Sequence, residues 1–264
     1  MESKSCIRFG KVAGLFLLTL ALFAVVCQAG EPIKSSYFTG ATTDDPDLLL
    51  YVPFDGTTKA TVAKGNMIPK KFNGQVALEA KFAEGRFGQS AVFEEDTLCY
   101  THNQPNWIQG TIEMWVKLNF DPAEKVEKDR YHYLLNVKTP AAAGGSEEDP
   151  IIYCYVQQSA QWKSAQISFA TRAKGNWNHS PSKDITNAWK KDEWHHVAIS
   201  WDNDRKYLFV DDQKTGEASA GNPLIPSGDK LIIGGHSGRG YWGQEMMLNG
   251  CLDELLVWKK ALKQ

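Results

Sequence analysis

Two Gly/Ser/Asn-rich stretches carry the side chains best suited to holding a hydroxyl-rich ligand: Asn176-Trp177-Asn178-His179-Ser180 and His236-Ser237-Gly238-Arg239-Gly240-Tyr241-Trp242-Gly243. Indole and phenol rings offer flat apolar faces on which pyranose rings stack, and polar groups at their edges bond the hydroxyls. Trp177, His236, Arg239, Tyr241 and Trp242 are therefore the candidate ligand-binding residues. The competing reading is that the tryptophans fold inward as loop anchors, because Trp is usually largely buried. Covalent chemistry is poorly provided for. His195 and His196 are neighbours on an alternating segment, so they point to opposite faces and cannot share a metal or act as a relay. No Ser nucleophile motif accompanies them. Glu113 shares its side of a strand with Thr111, Trp115 and Lys117, a setting that suits a charge pair with lysine better than an acid catalyst.

The elements that must position these groups are short. Apolar or alternating runs recur at Leu48 to Phe54, Gln75 to Ala80, Gln89 to Phe93, Thr97 to Tyr100, Thr111 to Leu118, Tyr131 to Val137, Ile151 to Val156, Gln166 to Arg172 and Lys230 to Ile233. Three more follow in the C-terminal third: Glu193 to Asp202, Tyr207 to Asp211 and Leu248 to Trp258. Turn signals separate them, among them Asp55-Gly56, Gly85 to Gly88, Ala143-Gly144-Gly145 and Pro226-Ser227-Gly228. Many short strands without a helical period predict an all-β antiparallel sandwich. Period-2 alternation sets Ile112, Met114, Val116 and Leu118 on one face, and Val197, Ile199 and Trp201 likewise, so each strand turns one side to the facing sheet.

Several segments carry a resemblance. Trp194-His195-His196-Val197-Ala198, Tyr207-Leu208-Phe209-Val210-Asp211 and Gly250-Cys251-Leu252-Asp253-Glu254 through Trp258 to Ala261-Leu262 resemble the W-x-H-V-A, L-Y-V-D-G and G-x-I-D-E patterns of the LamG-like jelly-roll, or concanavalin A-like lectin/glucanase, family. Tyr51 to Gly56, Gly85 to Phe93 and Thr111 to Val116 are similar to its earlier motifs, in the same order, so the resemblance spans Leu48 to Leu262. It implies a two-sheet antiparallel jelly-roll. Two departures stand out: the expected Asp-Gly hairpin is Asp211-Asp212, which predicts a looser or different turn, and the chain stops at Gln264 before the usual closing segment.

Many jelly-rolls of this kind hold one calcium ion, and the resemblance assigns Asp55, Asp253 and Glu254 as its candidate ligands, hard oxygens such as calcium prefers. The alternative is that these carboxylates cap turns. Hydrolases of this fold carry an E-x-D-x-E run that places two carboxylates on one side of a strand. No strand here has it. The resemblance thus implies a non-catalytic binding module for a glycan or an extracellular protein, acting through loops at the sandwich edge. The rivals are a structural or adhesive surface module without a small ligand, and a hydrolase or lyase.

Residues 1–29 read as a secretory signal: Lys4, Arg8 and Lys11 precede an apolar run from Val12 to Val26 and a small-residue exit at Cys27-Gln28-Ala29. That run is shorter than the ~20 residues a membrane-spanning helix needs. The expectation is export with cleavage after Ala29; Val26 stands where a lipid-anchoring signal expects a small residue before Cys27. Residues 30–46, rich in Ser, Thr, Gly and Asp without apolar periodicity, read as a flexible lead-in, and 47–264 as one domain. Formal net charge is −2 with both signs interspersed, which excludes the clustered basic footprint of a nucleic-acid binder. Cys99, Cys154 and Cys251 are too widely spaced to form a disulfide framework and read as small buried hydrophobes, with a single bridge open.

Overall fold

Alternation along the strands builds the architecture of this protein. The computed structural model describes residues 30–70, 80–94, 96–101, 103, 108–138, 151–173, 176–178, 181–220, 230–236 and 246–263. The leader, most of the Gln75 to Ala80 run and the turn signals at 143–145 and 226–228 lie outside them. The strands, in chain order, are β1 (Leu48–Val52), β2 (Val62–Ala63), β3 (Lys81–Glu84), β4 (Gln89–Phe93), β5 (Leu98–Thr101), β6 (Gly110–Leu118), β7 (Arg130–Lys138) and β8 (Ile151–Ser159). They continue as β9 (Ser164–Ala173), β10 (Asn176–Asn178), β11 (Ser182–Asp184), β12 (Trp194–Trp201), β13 (Arg205–Val210), β14 (Gln213–Ser219), β15 (Lys230–Ile233) and β16 (Gly250–Trp258). No helix occurs among the described residues, and none there is long and apolar enough to cross a membrane.

A nine-stranded sheet runs β14-β13-β12-β6-β16-β1-β2, with β4 on β16 and β3 on β4; a seven-stranded sheet runs β10-β9-β8-β7-β15-β5, with β11 on β9. Ile112, Met114, Val116, Val197, Ile199 and Trp201 from the first sheet meet Leu135, Val137, Ile152, Val156, Ile167 and Phe169 from the second in one core. The expected two-sheet antiparallel jelly-roll is the observed fold. Cys99, Cys154 and Cys251 are free thiols, the last two buried.

Two local devices keep polar residues out of that core. Strict alternation from Leu252 would send Glu254 inward. A register shift between Asp253 and Leu256, with Glu254 at φ 53°, inserts one residue so that Leu255 and Val257 face in instead. At the β13–β14 turn, Asp211 and Asp212 both take positive φ, 50° and 62°, as a tight primed hairpin requires. The turn is not loose: the Asp211 carboxylate accepts His195 Nδ1 at 2.9 Å and the His196 amide at 3.0 Å.

Residues 30–46 are not a flexible lead-in. They fold back on themselves through the Pro32–Thr42 bridge and dock on the outer face of the nine-stranded sheet. Ile33 and Ala41 pack with Leu48, Leu256 and Trp258, while Tyr37 packs with Ala198 and Phe209. The segment has no periodicity because it is a loop, yet its apolar residues fall where that face has apolar surface to cover.

Candidate functional site

The outer face of the seven-stranded sheet is an aromatic surface. Tyr131 and Tyr133 on β7 and Tyr153 and Tyr155 on β8 alternate with core residues, and the register sets Tyr133 opposite Tyr155 and Tyr153 opposite Ala170. Tyr133 lies 5.2 Å from Tyr155 and 5.8 Å from Tyr153 between ring centroids. All three are buried, with Tyr131 and Met246 packed against them. Burial raises the phenols of Tyr133 and Tyr155 far above their ordinary range, so they stay neutral.

Two of the sequence candidates converge on this cluster. Trp177, the middle residue of β10, sits tilted 4.9 Å from Tyr153, and His236, just beyond β15, stacks on the same ring at 5.8 Å and meets Tyr133 edge-on at 4.9 Å. Trp177 remains 42% exposed, so it is no inward loop anchor. The Arg172 guanidinium lies 5.6 Å from the Trp177 ring centre, and its buried Nε has no hydrogen-bond partner. At the far end of the tyrosine row, Gln157 Nε2 donates to Asp129 Oδ2 and to the Tyr131 hydroxyl, each at 3.2 Å. Arg239, Tyr241 and Trp242 lie outside the described residues. The tyrosines and Arg172 escaped sequence reasoning, although their signal was present: Tyr at i and i+2 on two adjacent runs, each on the side opposite the core residues.

The carboxylate candidates lie on the opposite layer, so they form no joint site with the aromatic face. Asp253 Oδ2 accepts the Phe87 amide at 2.9 Å and Asp55 Oδ1 the Gln89 amide at 2.8 Å. One tight turn thus rides on both groups. A side chain at Gly85 or Gly88 would collide with Asp253 or Asp55 respectively, which is why this turn needs glycine. Glu254 turns elsewhere: its Oε2 accepts the Ser35 and Tyr51 hydroxyls at 2.5 and 2.9 Å. Burial, reinforced by the neighbouring Glu254 charge, lifts the Asp253 carboxyl to about 7, and its buried Oδ1 has no partner. Among the described residues no three His, Cys, Asp or Glu groups are gathered as a metal site. The oxygen chemistry suits calcium at Asp253 and Asp55, and does not suit a cage that also requires Glu254 Oε2.

Glu113 makes no pair with Lys117, whose Nζ lies 5.0 Å from the Trp194 ring centre. It is fully buried under the docked N-terminal loop. It accepts the Ser36 hydroxyl at 2.5 Å, the Tyr37 amide at 2.7 Å and Trp258 Nε1 at 2.6 Å. His196 Nε2 stands 3.5 Å away, its ring between Tyr37 at 4.0 Å and Trp115 at 4.8 Å. Glu113 is thus taken up by hydrogen bonds and His196 by ring stacking.

The family model of the concanavalin A-like lectin/glucanases superfamily matches residues 95–264, and the chain belongs to that superfamily. Comparison with curated protein sequences gives no match. Among solved structures, it is similar to domain 4 of AbnA, a GH43 extracellular arabinanase from Geobacillus stearothermophilus in complex with arabinotriose (14% identity, 82% of this chain and 95% of that one, TM-score 0.50). It is also similar to the botulinum neurotoxin serotype D/C VPI 5993 binding domain (11%, 84% and 50%, TM-score 0.55) and to the bacteriophage CBA120 tailspike protein 2 enzymatically active domain (11%, 75% and 29%, TM-score 0.50). The chain spans about half of the neurotoxin domain and under a third of the tailspike. At these identities the likeness is one of fold.

Proposed function

We propose that this protein is an exported, non-catalytic module that binds a glycan on the aromatic face around Trp177. The observation that carries the reading is the convergence of Trp177 and His236 on Tyr153, with Arg172 beside an indole left 42% exposed. A flat ring backed by buried tyrosines gives a sugar a rigid apolar platform, and the guanidinium and imidazole supply edge hydrogen bonds. The arabinanase domain solved with arabinotriose lends support by similarity of fold. Export rests on the leader at 1–29. The orphaned Asp253 Oδ1 supports a structural calcium at Asp253 and Asp55, which would tie the 85–89 turn to β16.

A purely adhesive role without a small ligand expects this tryptophan buried, and its exposure favours the glycan. The hydrolase alternative is supported by the glucanases of the superfamily and by the fold likeness to the arabinanase domain and the tailspike enzymatically active domain. The test is retention on insoluble polysaccharides and a glycan array, with Trp177→Ala beside the unaltered protein and product release monitored. Retention that Trp177→Ala abolishes, without turnover, is expected; retention unaffected by Trp177→Ala would overturn the assignment of the face, and turnover would overturn the non-catalytic reading.

A further inference from the structure

Lys206 lies on β13 of the nine-stranded sheet, yet its side chain enters the sandwich and is wholly buried, in line with Leu208 and Val210. Its Nζ donates to Thr171 Oγ1 on β9 at 3.2 Å and to the Asn178 carbonyl on β10 at 2.8 Å, 5.5 Å from the Phe169 ring centre. All three belong to the facing sheet. Asn178 Nδ2 also donates to the Ser219 carbonyl on β14 at 3.3 Å. Strand β10 has three residues, pairs among the described residues with β9, and carries Trp177 at its centre. Such a short edge strand has little hold of its own, and two ties that reach it from the opposite layer end on Asn178, the residue next to Trp177.

We infer that Lys206 is the positioning residue of the Trp177 platform: by fastening β10 from inside the sandwich it holds the indole over Tyr153 and so sets affinity for a stacked ligand. The inference rests on the glycan reading of that face. It replaces the usual role of a buried lysine, which is to be absent, since an ammonium leaves water only at a penalty.

A consequence is sensitivity to pH. Burial pulls the ammonium down from 10.5 to about 7. The groups facing it are Thr171, the Asn178 carbonyl and Phe169, and its cross-strand neighbours on β12 and β14 are Trp201 and Ala218. Arg205 and Tyr207 alternate to the other side of β13, Arg205 paired with Glu217. A charged donor holds a carbonyl more strongly than a neutral amine, so the grip on β10 slackens as pH rises through about 7. Stability runs the other way. The unfolded chain keeps the proton up to ~10.5, so it binds more protons than the folded chain between about 7 and 10.5, and this group's contribution to stability rises with pH across that window.

Those opposed trends make the test. Trp177 emission is taken as the difference between the protein and Trp177→Phe, and followed with pH and with acrylamide as a neutral quencher. A step in the Trp177 signal near neutral pH is expected; Lys206→Met should remove the step and leave the indole more open to acrylamide. A folded Lys206→Met with unchanged Trp177 quenching, or with the step intact, overturns the inference. Should Lys206→Met fail to fold, Thr171→Val serves: loss of one acceptor for the charged form should move the step to lower pH, and an unmoved step counts against the idea. On whichever polysaccharide the unaltered protein retains, affinity should fall about fivefold from pH 6 to 8.5, the difference between a charged and a neutral hydrogen bond, and stay flat in Lys206→Met. If nothing is retained, the glycan reading fails while the quenching result still decides the role of Lys206.

Discussion

The indole Nε1 of Trp258 donates to Glu113 Oε1 at 2.6 Å, and both residues are fully buried. The same carboxylate accepts the Ser36 hydroxyl and the Tyr37 amide, so one side chain at the centre of the nine-stranded sheet ties the last strand to the docked N-terminal loop. Removing the acceptor strands three donors, each worth about 1–3 kcal/mol when left unsatisfied in the interior. Glu113→Ala is expected to lose about 3 kcal/mol or more in urea unfolding, with Glu113→Gln between it and the unaltered protein. A loss below about 1 kcal/mol would mean that water reaches these donors.

Tyr37 tests whether the N-terminal loop matters to the fold. Its hydroxyl donates to the His196 carbonyl and accepts the Asp212 amide, both at 3.1 Å, while its ring stacks on His196. Tyr37→Phe should lower stability by about 1 kcal/mol through the hydroxyl alone, and Tyr37→Ala by about 3 kcal/mol through the ring as well. A free tail would make both substitutions silent in thermal melts.

Much of this was legible because strand burial leaves a period-2 trace. The Thr111 to Leu118, Ile151 to Val156 and Glu193 to Asp202 runs correspond to β6, β8 and β12. Strand β14 was not legible: Gln213 to Ser219 is polar apart from Gly216 and Ala218 and forms an edge, where no apolar face is needed. The loop at 30–46 misled for a related reason, since a docked loop follows the shape of the surface it covers and has no period. At the candidate site, loop composition pointed to Trp177 and His236. The tyrosines beneath them look like ordinary strand aromatics until pairing shows that they share one outer face. Lys206 carried no signal at all, because a lysine in an alternating strand defaults to solvent.

Trp162 and Trp177 separate exposure from function. Trp162 is 67% exposed at the tip of the β8–β9 hairpin, whereas Trp177 pairs with Arg172 at the other end, roughly 27 Å away at the usual strand rise. Trp162→Ala should shift stability by only about 0.5 kcal/mol, as for other surface sites, and Trp177→Ala by about 1 kcal/mol more, through its lost contact with Tyr153. Polysaccharide retention should fall with Trp177→Ala alone. Equal loss with Trp162→Ala would show a ligand running the length of the hairpin and would refute a platform confined to Trp177.

Asp253 gives the clearest coupling of pH and metal. Burial raises its carboxyl from 3.8 to about 7, so between those values the folded chain binds more protons than the unfolded one. Its contribution to stability is therefore whole below about pH 4 and is lost as pH rises to about 7. After chelator treatment at pH 8, Asp253→Asn should be more stable than the unaltered protein by ~2 kcal/mol, since it removes a buried charge whose Oδ1 has no partner. Calcium at the same pH should raise the melting temperature of the unaltered protein and leave Asp253→Asn unmoved, because a cation restores the missing counter-charge only where the carboxylate remains. Calorimetric titration that gives neither heat nor a rise in melting temperature would remove calcium from the account and leave Asp253 as a support for the 85–89 turn alone.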